Sequence, residues 1–133
     1  MTHFKNRLAL ISFLTDDYDA AIAWFQSALG FVLLEDTNMG GGKRWVRMAP
    51  HPSAETAFLI AKAVGNQADS IGRQAGGRVG HFLFTDDFDG MYTRMQKFGV
   101  TFREYPRLEP YGKVAVFEDL HGNPWDLMQP SNP

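Results

Sequence analysis

The stretch "TDDYDAA", Thr15 to Ala21, returns as "TDDFDGM" from Thr85 to Met91. A chain of 133 residues that repeats itself in this way has room for two copies of one supersecondary unit and little else. Each copy follows a short apolar run, "LALISFL" or "VGHFLF", rich enough in branched and aromatic residues to be a buried strand. Each also precedes a helical pattern: Tyr18, Ile22, Phe25 and Leu29 in the first copy, Phe88, Tyr92, Met95 and Phe98 in the second. An aspartate before a helix accepts bonds from the unpaired amides of its first turn, and further acid there complements the positive end of the helix dipole. "TDDxD" is therefore read as a strand-to-helix junction. Both helices are expected to end at glycine, Gly30 and Gly99, where a left-handed residue closes the last turn.

All-strand sequence follows each helix. "FVLLEDT", "KRWVRMA" and "ETAFLIAKA" come after Gly30, and "VTFREYPRL", "GKVAVFED" and "PWDLMQ" after Gly99. "MGGGK" and "HGNP" are turns. The predicted class is α+β, two tandem βαβββ modules in one domain over 1–133: module 1 at about 5–63, a polar linker at about 64–77 and module 2 at about 78–130. Neither half holds enough core to stand alone.

The composition fits a packed soluble domain, 44% apolar and 21% charged. A net charge of −2 with no Lys/Arg run gives no footprint for nucleic acid or an anionic membrane. The absence of cysteine removes disulfides and thiolate chemistry and is compatible with a reducing cytoplasm, the expected location. The apolar patch near the start ends in Asp16 and Asp17 instead of a small-residue cleavage site and is read as a first strand.

The paired βαβββ units, the helix "DDYDAAIAWFQSALGF" and the closing "VAVFEDLHGNPWDL" resemble the vicinal oxygen chelate superfamily, which includes glyoxalase I, bleomycin resistance proteins, extradiol dioxygenases and fosfomycin resistance enzymes. The likeness spans nearly the whole chain. It implies curved mixed sheets with helices outside and a cavity inside, and, for chains of this size, a homodimer that builds the cavity from modules of both copies.

The family's metal site takes a His from the first strand and a Glu from the last strand of each module. Carried over by position, the two His places fall on Leu10 and Gly80, and "ETAFLIAKA" offers only apolar residues for the first Glu. Asp126 stands where the family has Glu in "GNxxEL". One ligand of four survives, so no resident metal or other cofactor is expected. His81 lies one residue past the expected place, and a one-residue offset sends a strand side chain to the opposite face. It is expected to pack against the helix with one nitrogen hydrogen-bonded, and His121 to face solvent. The alternative is a metal-dependent lyase, isomerase or dioxygenase with a displaced set such as His81, Glu118 and Asp126.

The other candidates are ligand-binding ones. Ser12 shares a face with Leu10 but has no His and Asp partners for nucleophilic work. Trp45 and Arg47 alternate to one face of their strand, either as a recognition pair for a flat or anionic ligand or as a surface Arg lying over a half-exposed Trp. Glu104, Arg107, Glu109 and Tyr111 flank a strand kinked by Pro106 and Pro110, either a cavity lip or a protected edge. Asp126 either sits in an apolar cavity with a raised pKa or pairs with a nearby cation. A small molecule bound in the sheet cavity, without the usual metal site, is the expected function.

Overall fold

The structure, a computed structural model, describes residues 3–132. Module 1 contains β1 (Leu10–Thr15), α1 (Tyr18–Leu29), β2 (Val32–Gly40), β3 (Lys43–Ala49) and β4 (Ala57–Lys62). Module 2 contains β5 (His81–Phe84), α2 (Phe88–Lys97), β6 (Arg107–Glu109), β7 (Gly112–Glu118) and β8 (Pro124–Pro130). Each module forms a four-stranded mixed sheet, ordered β1-β4-β3-β2 and β5-β8-β7-β6, with the first strand parallel to the last. The two sheets have the same topology, as the repeat implies.

The repeat also has the same bonding in both copies. Thr15 Oγ1 accepts from the Asp17 amide at 3.2 Å and Thr85 Oγ1 from the Asp87 amide at 3.1 Å. Asp17 and Asp87 cap their helices by accepting from Ala20 and Gly90. The first-turn acids Asp19 and Asp89 each meet a cation from the third strand of their sheet, Arg44 at 2.9 Å and Lys113 at 2.8 Å. That cation also lies 5.1 Å from the centre of the ring that opens the helix, Tyr18 or Phe88. Gly30 adopts φ 70° and closes α1 as expected.

One face of each sheet packs on its helix, and the two packed faces share a single core. Phe13, Phe25, Val46, Met48 and Ile60 of module 1 join Phe117, Trp125 and Leu127 of module 2. Phe13 meets Phe25 edge-on at 5.0 Å, and Phe25 lies 6.0 Å from Trp125 across the module boundary. The α1 stripe is buried throughout, but the α2 stripe is not: Phe98 is 56% exposed and lies under the Arg94 guanidinium. That position is the C-cap of α2, where the last turn leaves the sheet.

Two expectations change. The predicted strand over 100–108 is broken: Phe102 makes an isolated bridge to Phe117, and pairing with β7 resumes only at Arg107. Pro106 lacks an amide, and the Val116 amide is taken instead by the Glu104 carboxylate at 3.1 Å. The segment between the modules contains a 3-10 helix, Gly65–Ser70, and then runs along the edge of β1. There the Gln74 side chain accepts from the Leu14 amide at 2.8 Å and donates to the Ser12 carbonyl at 3.0 Å. One amide side chain thus stands in for a neighbouring strand at an otherwise open edge.

The "EDLHGNPW" turn is built on a buried carboxylate. Asp119, 6% exposed, accepts from the amides of His121 and Asn123, from Asn123 Nδ2 and from Trp125 Nε1 at 2.9 Å. His121 is held inward: its Nε2 is 2.8 Å from Thr15 Oγ1, and its ring stacks on Phe13. The solvent-facing histidine expected here is instead a tie between the modules.

Candidate functional site

Strand register places the candidate side chains. In the first sheet, Ser12, Leu59, Arg47 and Glu35 form one cross-strand row on the face away from α1, and Trp45 lies two residues on from Arg47. In the second sheet, Phe82, Asp126 and Val116 form the matching row, followed by Phe84, Met128, Val114 and Arg107. Ser12, Trp45 and Arg47 therefore share one helix-free face, and Asp126 lies on the other. Within one chain these faces are open to solvent, and Phe82 and Phe84 are 58% and 61% exposed. The enclosed cavity expected from sequence is not formed by a single copy.

Charges on these faces are largely matched. Arg47 Nε donates to Glu35 Oε1 at 2.9 Å, a partner that strand alternation alone could have suggested. Arg107 gathers Glu109 at 2.7 Å, Glu104 at 3.1 Å and the Tyr111 hydroxyl at 3.3 Å. Glu109 and Tyr111 thus form one cluster with Arg107 at the centre, a role the sequence reading did not give that arginine. Asp126 makes no ion pair among the described residues. Partial burial raises its pKa above the ordinary carboxylate value; nearby Arg107 opposes that rise and Glu104 adds to it.

His81 points the other way. Its row is Trp125 and Phe117, on the core side, with ring centroids 4.6 Å from Trp125 and 5.2 Å from Phe58. It packs toward the helix layer as expected, but Nδ1 is buried without a hydrogen-bond partner. Burial lowers the His81 pKa, and Asp119 partly offsets this. As pH falls below the ordinary imidazole value of 6.5, the unfolded chain takes up this proton before the folded one does. The stability held by the neutral ring is complete above that value and is lost as pH falls through the window down to the folded value. His81→Phe keeps the stacking and removes the orphaned nitrogen, so it is expected to stabilise by about 1 kcal/mol at pH 7 and by more at pH 5.5. Urea unfolding at both pH values checks this; a variant no more stable than the parent at either would contradict it.

The residues present do not fit the family's metal centre. The register makes Leu59 the counterpart of Asp126, since Ser12↔Leu59 corresponds to Phe82↔Asp126. A side chain at Gly80 would meet the Ala75 methyl at 2.6 Å, because the inter-module segment lies against that place. The displaced set is not assembled either: His81 and Asp126 occupy opposite faces, and Glu118 is paired with Arg103 at 2.9 Å. Among the described residues no group of three or more His, Asp or Glu side chains is placed to hold a metal ion.

A cleft of about 480 Å³ opens at one end of the first sheet, lined by Trp45, Leu59 and Ala61 together with Lys43, Lys62 and Gln67. Nothing in the sequence pattern signalled it, because it arises where two strands part.

Among the described residues no helix is long and apolar enough to cross a membrane. A protein of Shewanella frigidimarina is 47% identical over 127 residues, covering 94% of each chain. Two solved structures superpose closely. UcmS2 is 29% identical with a TM-score of 0.78, covering 94% of this chain and 98% of its own. TnmS3, an antibiotic binding protein from Streptomyces sp. CB03234, is 30% identical with a TM-score of 0.77, covering 97% of this chain and 100% of its own. The family model for the Glyoxalase/Bleomycin resistance protein/Dioxygenase superfamily matches residues 7–127. With its two βαβββ modules and a family match over nearly its full length, this chain belongs to the Glyoxalase/Bleomycin resistance protein/Dioxygenase superfamily.

Proposed function

We propose that this protein binds a small, flat, largely apolar molecule against the helix-free faces of its sheets, without a resident metal, in a homodimer that closes those faces over the ligand. The observation that carries the reading is the pairing of exposed Phe82 and Phe84 with Asp126 on the helix-free face of the second sheet, while three of the four family metal positions hold Gly80 there and Leu10 and Leu59 on the first sheet. Aromatic surface of this kind, carrying one polar group, suits a ligand pocket once a second surface covers it. The likeness to TnmS3, an antibiotic binding protein, supports the same reading. A cytoplasmic location is part of the proposal, and the cysteine-free composition is compatible with it.

The test combines three measurements on untagged protein purified without chelator. Sedimentation should give twice the 15.0 kDa chain mass. Elemental analysis should find no stoichiometric divalent metal. The uncharged dye N-phenyl-1-naphthylamine should bind at about one site per chain, and Phe82→Ala/Phe84→Ala should weaken it about tenfold or more. Near one divalent ion per chain, lost in Asp126→Ala, would overturn the metal-free reading in favour of the metal-dependent enzyme. Failure of the dye to bind would overturn ligand binding on this face.

A further inference from the structure

Between the third and fourth strands the two sheets differ in how far they pair. In module 2 the β7–β8 ladder is continuous over seven residue pairs, from Gly112↔Pro130 to Glu118↔Pro124. In module 1 the β3–β4 ladder has three, ending at Val46↔Ile60, although β3 runs back to Lys43 and β4 on to Lys62. The two strands therefore part like a fork, and the 480 Å³ cleft lies between the prongs.

A difference within the repeat accompanies this parting. Continued pairing would set Arg44 opposite Lys62, but the Arg44 amide donates to the Tyr18 hydroxyl at 3.1 Å. The corresponding residue of module 2, Phe88, has no hydroxyl, and there the matching pair Lys113↔Gln129 is made. On the other prong, Val64 and Gln67 of the inter-module segment line the cleft, fixed by the bond from the Val64 amide to Gln67 Oε1 at 3.0 Å.

The chemistry of the cleft is one-signed. Trp45, Leu59 and Ala61 supply an apolar wall, and Lys43, Arg44 and Lys62 supply three cations, with no carboxylate among the lining residues. Arg44 is neutralised by Asp36 at 2.7 Å and Asp19 at 2.9 Å. Lys43 and Lys62 make no ion pair among the described residues. The cleft thus offers an indole face, strand backbone beyond the last ladder pair and two uncommitted ammonium groups that approach the fork from opposite sides, Lys43 from the side of Trp45 and Lys62 from the side of Ile60, a combination that suits a flat ring bearing an acid.

We propose that the fork between β3 and β4 receives the acidic end of the ligand, so that the class of molecule bound is a small aromatic anion such as a carboxylate, phenolate or sulfonate. This rests on the small-molecule reading above and adds the sign of the ligand's charge and the place where that charge sits.

The test compares two dyes with the same ring system, 8-anilinonaphthalene-1-sulfonate and uncharged N-phenyl-1-naphthylamine, by fluorescence titration at low salt. The anionic dye should bind about tenfold more tightly to the parent protein, and Lys43→Gln/Lys62→Gln should remove that advantage while leaving the neutral dye unchanged. Both lysines are exposed, so this variant keeps the fold. Trp45→Ala should weaken the anionic dye about fivefold or more. If both dyes bind with equal affinity, or if the lysine variant leaves the anionic dye unaltered, the acidic-end assignment fails and ligand binding stands. A lysine effect with no Trp45 effect places the charge outside the fork and also overturns the assignment. Failure of both dyes to bind overturns the two readings together.

Discussion

Asp119→Ala is expected to destabilise the protein by about 3–5 kcal/mol, enough to lower the melting temperature by roughly 10 °C or more. The carboxylate is buried and accepts from two backbone amides, an Asn side chain and the Trp125 indole. Its removal leaves those donors without partners in a place water does not reach, and the penalty falls on the donors as well as on the lost bonds. Trp125 sits at the junction of both modules through Phe25 and Phe31, so the disturbance should not stay local. Asp119→Asn, which keeps the shape but adds two donors to a site already crowded with them, should recover less than half of the loss. Chemical denaturation of the three proteins checks this; a loss below about 1 kcal/mol for the alanine variant would show that the turn is held by other means.

Gly72→Ala should have the second largest effect, about 2–4 kcal/mol. Gly72 has φ 79°, and a methyl group there would collide with the His121 carbonyl oxygen, a backbone atom that cannot rotate aside. Gly76→Ala separates the two contributions. Its φ is 69°, with nothing within 4 Å of the added carbon, so it should show the left-handed strain alone, about 1 kcal/mol. Gly72→Ala should also expose the Leu14 amide to hydrogen exchange, because Gln74, two residues on, must move with the segment. Equal losses in the two variants would mean that the inter-module segment yields freely at His121.

The repeat made the architecture legible, since the capping acids, the helix stripes and the strand count follow from local chemistry that both copies share. The face of Asp126 was legible too, because two-residue alternation fixes it once Trp125 and Leu127 are taken as core. Other features depend on partners distant in sequence. His121 gave no sign of its bond to Thr15, and Glu35 none of its hold on Arg47 beyond a compatible parity. The break before β6 was foreseeable from Pro106, but not that a Glu104 oxygen would take over the Val116 amide. The cleft was least legible of all, because it depends on where a ladder stops.

Within "TDDYD" and "TDDFD" the only difference is Tyr18 against Phe88. The module carrying phenylalanine has a continuous ladder between its third and fourth strands, and the module carrying tyrosine has one that stops short. A duplicated unit can in this way keep one ladder whole while the other parts, with a tyrosine oxygen taking the amide at the fork. Tandem duplication then supplies a spare as well as a second half: an opening in one sheet need not weaken the other, so binding specificity and foldability can change independently.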